Sequence, residues 1–134
     1  MTDAEKIAAL VDYRLEQATE ALAAAELNLS NSLERSAVNR AYYAMFYAVL
    51  ALLASRATET SRHSGAIAQF DLLYAKPQVF RADLSRWLHK AFLHSQAADY
   101  GAEQTPTRPE IETLLAEARV FVQEIRRYFQ RPVP

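Results

Sequence analysis

At 134 residues, 51% hydrophobic and 23% charged, the chain has the length of one domain, read here as residues 1–134, with enough apolar mass for its own core. Cysteine is absent, which excludes disulfides and thiolate-held metal. The formal net charge of −1 gives no overall pull on nucleic acid, so such a contact would need a local basic patch.

There are two glycines, and the five prolines all follow Lys76. Alanine, leucine, glutamate and arginine, all good helix formers, dominate. The expected fold is all-α: an up-and-down bundle of four long helices plus one short helix. The start "MTDAEKIAAL" is acidic where a leader would be basic, and no long uncharged apolar run follows it. A soluble cytoplasmic protein without a membrane segment is expected.

The first helix is predicted from about Asp3 to Leu29. Thr2 and Glu5 have capping-box spacing, and Ile7, Leu10, Val11, Ala18, Leu22, Ala25 and Leu29 form one apolar stripe. The polar cluster Asn28–Ser32 ends it. The second helix runs from about Ser32 to Arg56, with Asn31 as the expected cap and Glu34 three residues on. Between Arg40 and Arg56 it has no charge, which marks a central helix with neighbours on most sides. A short third helix, about Ser61 to Tyr74, must end before Pro77. The fourth spans about Arg81 to Ala98, with Leu84, Trp87, Leu88 and Ala91 turned inward, and stops near Gly101. The segment "GAEQTPTRPE" is a loop leading to a cap at Thr107, Pro109 in the first turn and Glu110 as the reciprocal acid. The fifth helix carries the cleanest stripe: Ile111, Leu114, Leu115, Ala118, Val122, Ile125 and Phe129.

Within the apolar second helix, "NRAYYAMFYAVLALL" holds an arginine and three tyrosines. Ser36, Arg40, Tyr43 and Tyr47 are spaced four, three and four apart, which puts them on one face. A guanidinium buried without a partner is costly, so Arg40 must meet an acid or reach water. Tyrosine suits interfaces because its ring is apolar and its hydroxyl can stay hydrogen-bonded. The stripe is therefore a binding cleft or subunit contact, or else Arg40 snorkels outward and the tyrosines only pack.

Three histidines, His63, His89 and His94, share no metal-ligand spacing, and no metal or other cofactor is expected. His63 and His94 are the weak candidates for catalytic groups. His63 follows Arg62 at a helix start, where the two could hold an anion. His94 and Ser95 are neighbours pointing in different directions on a helix, so they are no ready nucleophile–base pair. Asp99 is a chemical guess for the partner of Arg40. "RRYFQR" mixes arginines with aromatics. It reads either as an RNA contact or as a basic last turn that complements the helix dipole.

Three pieces in order, "NRAYYAMFYAVLALL", "RHSGAIAQF" and "SQAADYG", together resemble the HEPN domain in its small prokaryotic branch. The resemblance covers about Ser32 to Tyr128. It implies a helical bundle paired as a homodimer, often encoded beside a minimal nucleotidyltransferase as toxin and antitoxin, with other members binding nucleotides. It also implies, for many members, a metal-independent ribonuclease whose arginine and histidine lie at the dimer cleft. Here the family arginine matches Ser95 and the family histidine falls near Tyr100 or Gly101, so the usual pair is missing. Arg56 and His63 have a compatible spacing but flank the turn before the third helix, the wrong part of the fold. By resemblance, Arg40 and its tyrosines lie near the cleft with Asp99 and Tyr100, and His63 contributes from its helix start. The expected role is a toxin-type module that binds nucleotide or RNA beside a nucleotidyltransferase partner. The rival is an active ribonuclease with rearranged residues, Arg40 for phosphate and His63 or His94 as base.

Overall fold

The computed structural model describes residues 1–58, 60, 62–99 and 106–130. Five α-helices follow in order: α1 (Asp3–Ser30), α2 (Glu34–Ser55), α3 (His63–Phe70), α4 (Asp83–Asp99) and α5 (Arg108–Gln130). Among the described residues there is no β-strand, so the all-α expectation holds.

The caps at α1 and α5 follow the predicted chemistry. Thr2 Oγ1 accepts from the Glu5 amide at 3.1 Å while the Glu5 carboxylate accepts from the Thr2 amide. Thr107 and Glu110 repeat the exchange at the start of α5. Each pair satisfies amides that the first helical turn leaves without partners.

The start of α2 differs from the prediction. Asn31 does not cap it. Its side chain donates back to Leu27 O at 2.8 Å and so closes α1. Ser32 turns the chain at a φ of 60°, and Leu33 stands at the cap position of α2 with no side-chain hydrogen bond. This tight link folds α2 back along α1.

The third helix is also shorter than predicted. It gives way at Asp71 to a π-turn, Asp71–Ala75, closed by the Lys76 amide donating to Asp71 O at 2.8 Å. The wider turn carries Tyr74 into the core, where its hydroxyl donates to Leu52 O at 3.2 Å near the end of α2. The predicted stop at Gly101 and the last residues, "RPVP", lie outside the described residues.

At the centre, α2 packs against α1, α3, α4 and α5. Ala37, Ala41, Ala44, Met45, Ala48, Ala51 and Leu52 are all fully buried. Small side chains along α2 let its neighbours approach closely, and the bulk comes from Phe70, Leu84, Leu88, Ile111, Phe121 and Ile125. On α1 the buried stripe includes Leu15 and Ala21, whereas Leu10 stays 42% exposed. By length and composition α2 could cross a membrane, but 67% of that stretch is buried inside the bundle. The basic end of α5 is tied into the fold: Arg126 donates to Leu15 O at 3.0 Å and to Thr19 Oγ1 at 2.5 Å on α1.

Candidate functional site

The side chains of α2 that turn away from the core form a half-exposed shelf between α3 and α4. Arg40, Tyr43, Phe46 and Tyr47 are each half-buried. The Arg40 guanidinium lies over the Tyr43 ring at 4.6 Å, and Tyr43 in turn contacts Tyr47 at 5.7 Å between ring centres. Ser36, predicted to share this face, is exposed.

His63, the first residue of α3, closes the shelf. Its ring stacks on Phe46 at 4.1 Å with only 9° between the planes. Tyr43 meets it edge-on at 5.5 Å, and Phe92 of α4 lies 6.3 Å away, nearly parallel. His63 Nδ1 is 2.7 Å from the Tyr42 hydroxyl. Burial pushes the His63 pKa down. It also pushes the Tyr42 hydroxyl far up, with the neighbouring Tyr43 phenol adding to the effect. Both groups are therefore neutral near pH 7.

The loop before α3 shows why the motif carries a glycine. A Cβ on Gly65 would stand 2.6 Å from Thr60 Oγ1. That hydroxyl accepts from the Arg62 amide at 3.4 Å and donates to Arg62 O at 3.3 Å. Gly65 thus lets the loop close over the first turn and hold His63 in place.

On the α4 side, a second polar group adjoins the shelf. Ser95, 4% exposed, donates to Asn39 Oδ1, and Asn39 Nδ2 donates to Asp99 Oδ1 at 2.8 Å. This corrects the guessed Arg40–Asp99 pair: Asp99 is taken by Asn39, and Arg40 rests on an aromatic face instead. The bridge is possible because Asn39 carries both an acceptor and a donor.

His94 is not part of this group. It lies near the start of α5, where the Thr107 hydrogen bonds, followed by the charges of His94 and Lys90, hold the Glu110 carboxyl below its usual range. His89 pairs with Asp71 of the π-turn at 2.6 Å. Arg56 lies over Tyr74 at 5.6 Å, away from the shelf. Tyr100 lies outside the described residues. Among the described residues, no three histidine or carboxylate side chains gather as a metal site.

The sequence alone missed Tyr42, Phe46 and Phe92 as shelf residues. Tyr42 and Phe46 sit in a stretch that is apolar on every side, so periodicity cannot tell which rings face His63. Phe92 carries no signal at all until α3 and α4 are placed.

Comparison with known proteins gives this arrangement a context. A family model described as the HEPN domain matches residues 11–128. The chain belongs to the HEPN domain family. A "UPF0332 protein" of Thermotoga maritima is 32% identical over 97% of this chain and 96% of its own length. Of two proteins of Methanocaldococcus jannaschii, each named "Putative toxin", one is 35% identical over 92% of this chain and 88% of its own length, and the other 31% identical over 85% and 78%. The HEPN match takes in α2, α3 and α4, so every described shelf residue lies inside it.

Proposed function

We propose that this HEPN protein is a toxin-type module whose shelf on α2 binds RNA or a nucleotide. The observation that carries the reading is the convergence of Arg40, Tyr43, Phe46 and His63 on one half-exposed surface. A guanidinium for phosphate beside flat aromatic faces for bases is the chemistry that single-stranded nucleic acid needs. The names of the Methanocaldococcus relatives support the toxin class.

In this reading the protein is a cytoplasmic homodimer, paired with a minimal nucleotidyltransferase, and it holds its ligand rather than cutting it. By resemblance, the position of the family's ribonuclease arginine falls to Ser95, a buried hydroxyl tied to Asn39. A serine there supplies no fixed positive charge to a phosphate.

A second reading has a specific observation behind it. Arg40 and His63 both contact the Tyr43 ring, so a cation and an imidazole border the same part of the shelf. Metal-independent RNA cleavage with Arg40 for charge and His63 for proton transfer is the active alternative.

The deciding experiment incubates the purified protein with labelled single-stranded RNA in chelator, reading binding and cleavage together. Binding weakened in Arg40→Gln and His63→Gln, without cleavage by the parent, is the expected result. Cleavage abolished by the same substitutions selects the second reading, and unchanged binding in both variants discards the shelf. Sedimentation giving only monomer at micromolar concentration discards the dimer, and co-purification with the product of a neighbouring nucleotidyltransferase gene tests the pairing.

A further inference from the structure

We infer that Tyr42 is a positioning residue that fixes His63 as its neutral Nε2–H tautomer, so that the shelf offers His63 as a hydrogen-bond donor to a phosphate oxygen. The choice of ligand rests on the proposed function, whereas the tautomer stands on geometry alone.

Tyr42 is 1% exposed. Among the described residues its hydroxyl has one hydrogen-bond partner, His63 Nδ1 at 2.7 Å. Two proton arrangements fit that distance. In one, the phenol O–H donates to the Nδ1 lone pair. In the other, Nδ1–H donates to the phenol oxygen, and the phenol's own hydrogen is then buried with no acceptor among the described residues. Buried donors are almost always satisfied, so the first arrangement is selected. A neutral imidazole carries one ring proton, which must then sit on Nε2. Adding a proton at Nδ1 would reverse the Tyr42 contact and leave the phenol hydrogen without an acceptor among the described residues, and that opposes the charged form as well.

The neighbours leave this bias intact. The ring is flanked by Phe46 and Phe92, which carry no charge. Tyr43 meets it edge-on, and the cation on its own element is Arg62, the cap residue before it. No carboxylate contacts His63 among the described residues, so nothing there favours imidazolium. His63 Nε2 has no hydrogen-bond partner among those residues, and the residue is partly open to solvent. The proton on it is therefore available to a ligand. With Arg40 on the same tyrosine, these two side chains offer donors and no acceptor, and a ligand rich in acceptor oxygens is their complement.

The test is a long-range nitrogen–proton NMR spectrum of the uniformly labelled protein without ligand. His63 is expected to show a bare, hydrogen-bonded Nδ1 and a protonated Nε2. In Tyr42→Phe, which keeps the ring packing, the signals should move to a tautomer mixture and the His63 pKa should rise toward 6.5. A protonated Nδ1 in the parent, or a Tyr42→Phe spectrum identical to the parent's, overturns the inference. If the variant does not fold, the parent spectrum decides. Adenosine monophosphate added to the parent should shift the Nε2–H resonance. No shift, with the tautomer as inferred, sinks the shelf as a binding surface and leaves the role of Tyr42 standing.

Discussion

Asn39 and Asp99 are joined at 2.8 Å, amide nitrogen to carboxylate, and this contact fastens the end of α4 to α2. The same Asn39 receives the buried Ser95 hydroxyl. Removing the amide in Asn39→Ala leaves that hydroxyl without an acceptor, and an unfolding stability lower by about 1–3 kcal/mol is expected in urea titration. Asn39→Asp keeps an acceptor for Ser95 but sets a second carboxylate against Asp99. Its penalty should be larger at pH 7 than at pH 4, where protonation removes the repulsion. Equal penalties at both pH values would show that the contact does not form in solution.

Gly65 should not accept a side chain. In Gly65→Ala the new methyl meets Thr60 Oγ1 at 2.6 Å, and a loss of about 1–3 kcal/mol is expected from forcing the loop outward. Thr60→Ala removes the obstacle. The double variant should therefore be less destabilised than the sum of the singles, as calorimetry can measure. Simple additivity would mean that the loop already yields without cost.

The lowered pKa of His63 makes a signed statement about pH. Just below 6.5, the unfolded chain takes up a proton that the folded protein refuses. Lowering the pH therefore favours unfolding across that window, and the contribution is fully present only above 6.5. Below the folded pKa both states are protonated, and this group adds no further slope. His63→Gln keeps an acceptor for Tyr42 and cannot titrate. Between pH 7 and pH 5 the melting temperature of the parent should fall further than that of His63→Gln. Parallel curves would refute the neutral imidazole.

Arg40 should matter more for ligand than for fold. Its stacking on Tyr43 at a half-exposed site contributes about 0.5–1 kcal/mol, so Arg40→Gln should unfold nearly like the parent. Binding of a short single-stranded RNA should weaken by roughly tenfold, the effect of one lost charge-assisted hydrogen bond. The slope of log affinity against log salt should shrink by about 0.7, one phosphate contact fewer. An unchanged slope would place the phosphate elsewhere.

Much of this was legible in the residues. The caps at Thr2 and Thr107 and the stripe of α5 follow from local rules, and the structure keeps them. Asn31 misled because Asn serves equally well at the end of one helix and the start of the next, and a three-residue link leaves room for only one role. The π-turn at Asp71–Ala75 had no local signal beyond Pro77, since it answers to the packing of Tyr74. On α2, spacing placed Arg40, Tyr43 and Tyr47 on one face. Which acid, if any, met Arg40 depended on how α4 crosses α2, and that is a tertiary fact. The pairing of Tyr42 with His63, 21 positions apart, is of the same kind.

The burial of α2 on nearly all sides has a consequence for how the molecule comes apart. In its middle turns Ala44, Met45 and Ala48 have no exposed surface, and four other helices pack against α2. No local fluctuation can wet those amides, so their hydrogens should exchange only through complete unfolding and should be the slowest in the protein. Any intermediate that sheds the outer helices would bare a rod uncharged from Ala41 to Ser55, a form that sticks to its own kind before it can refold.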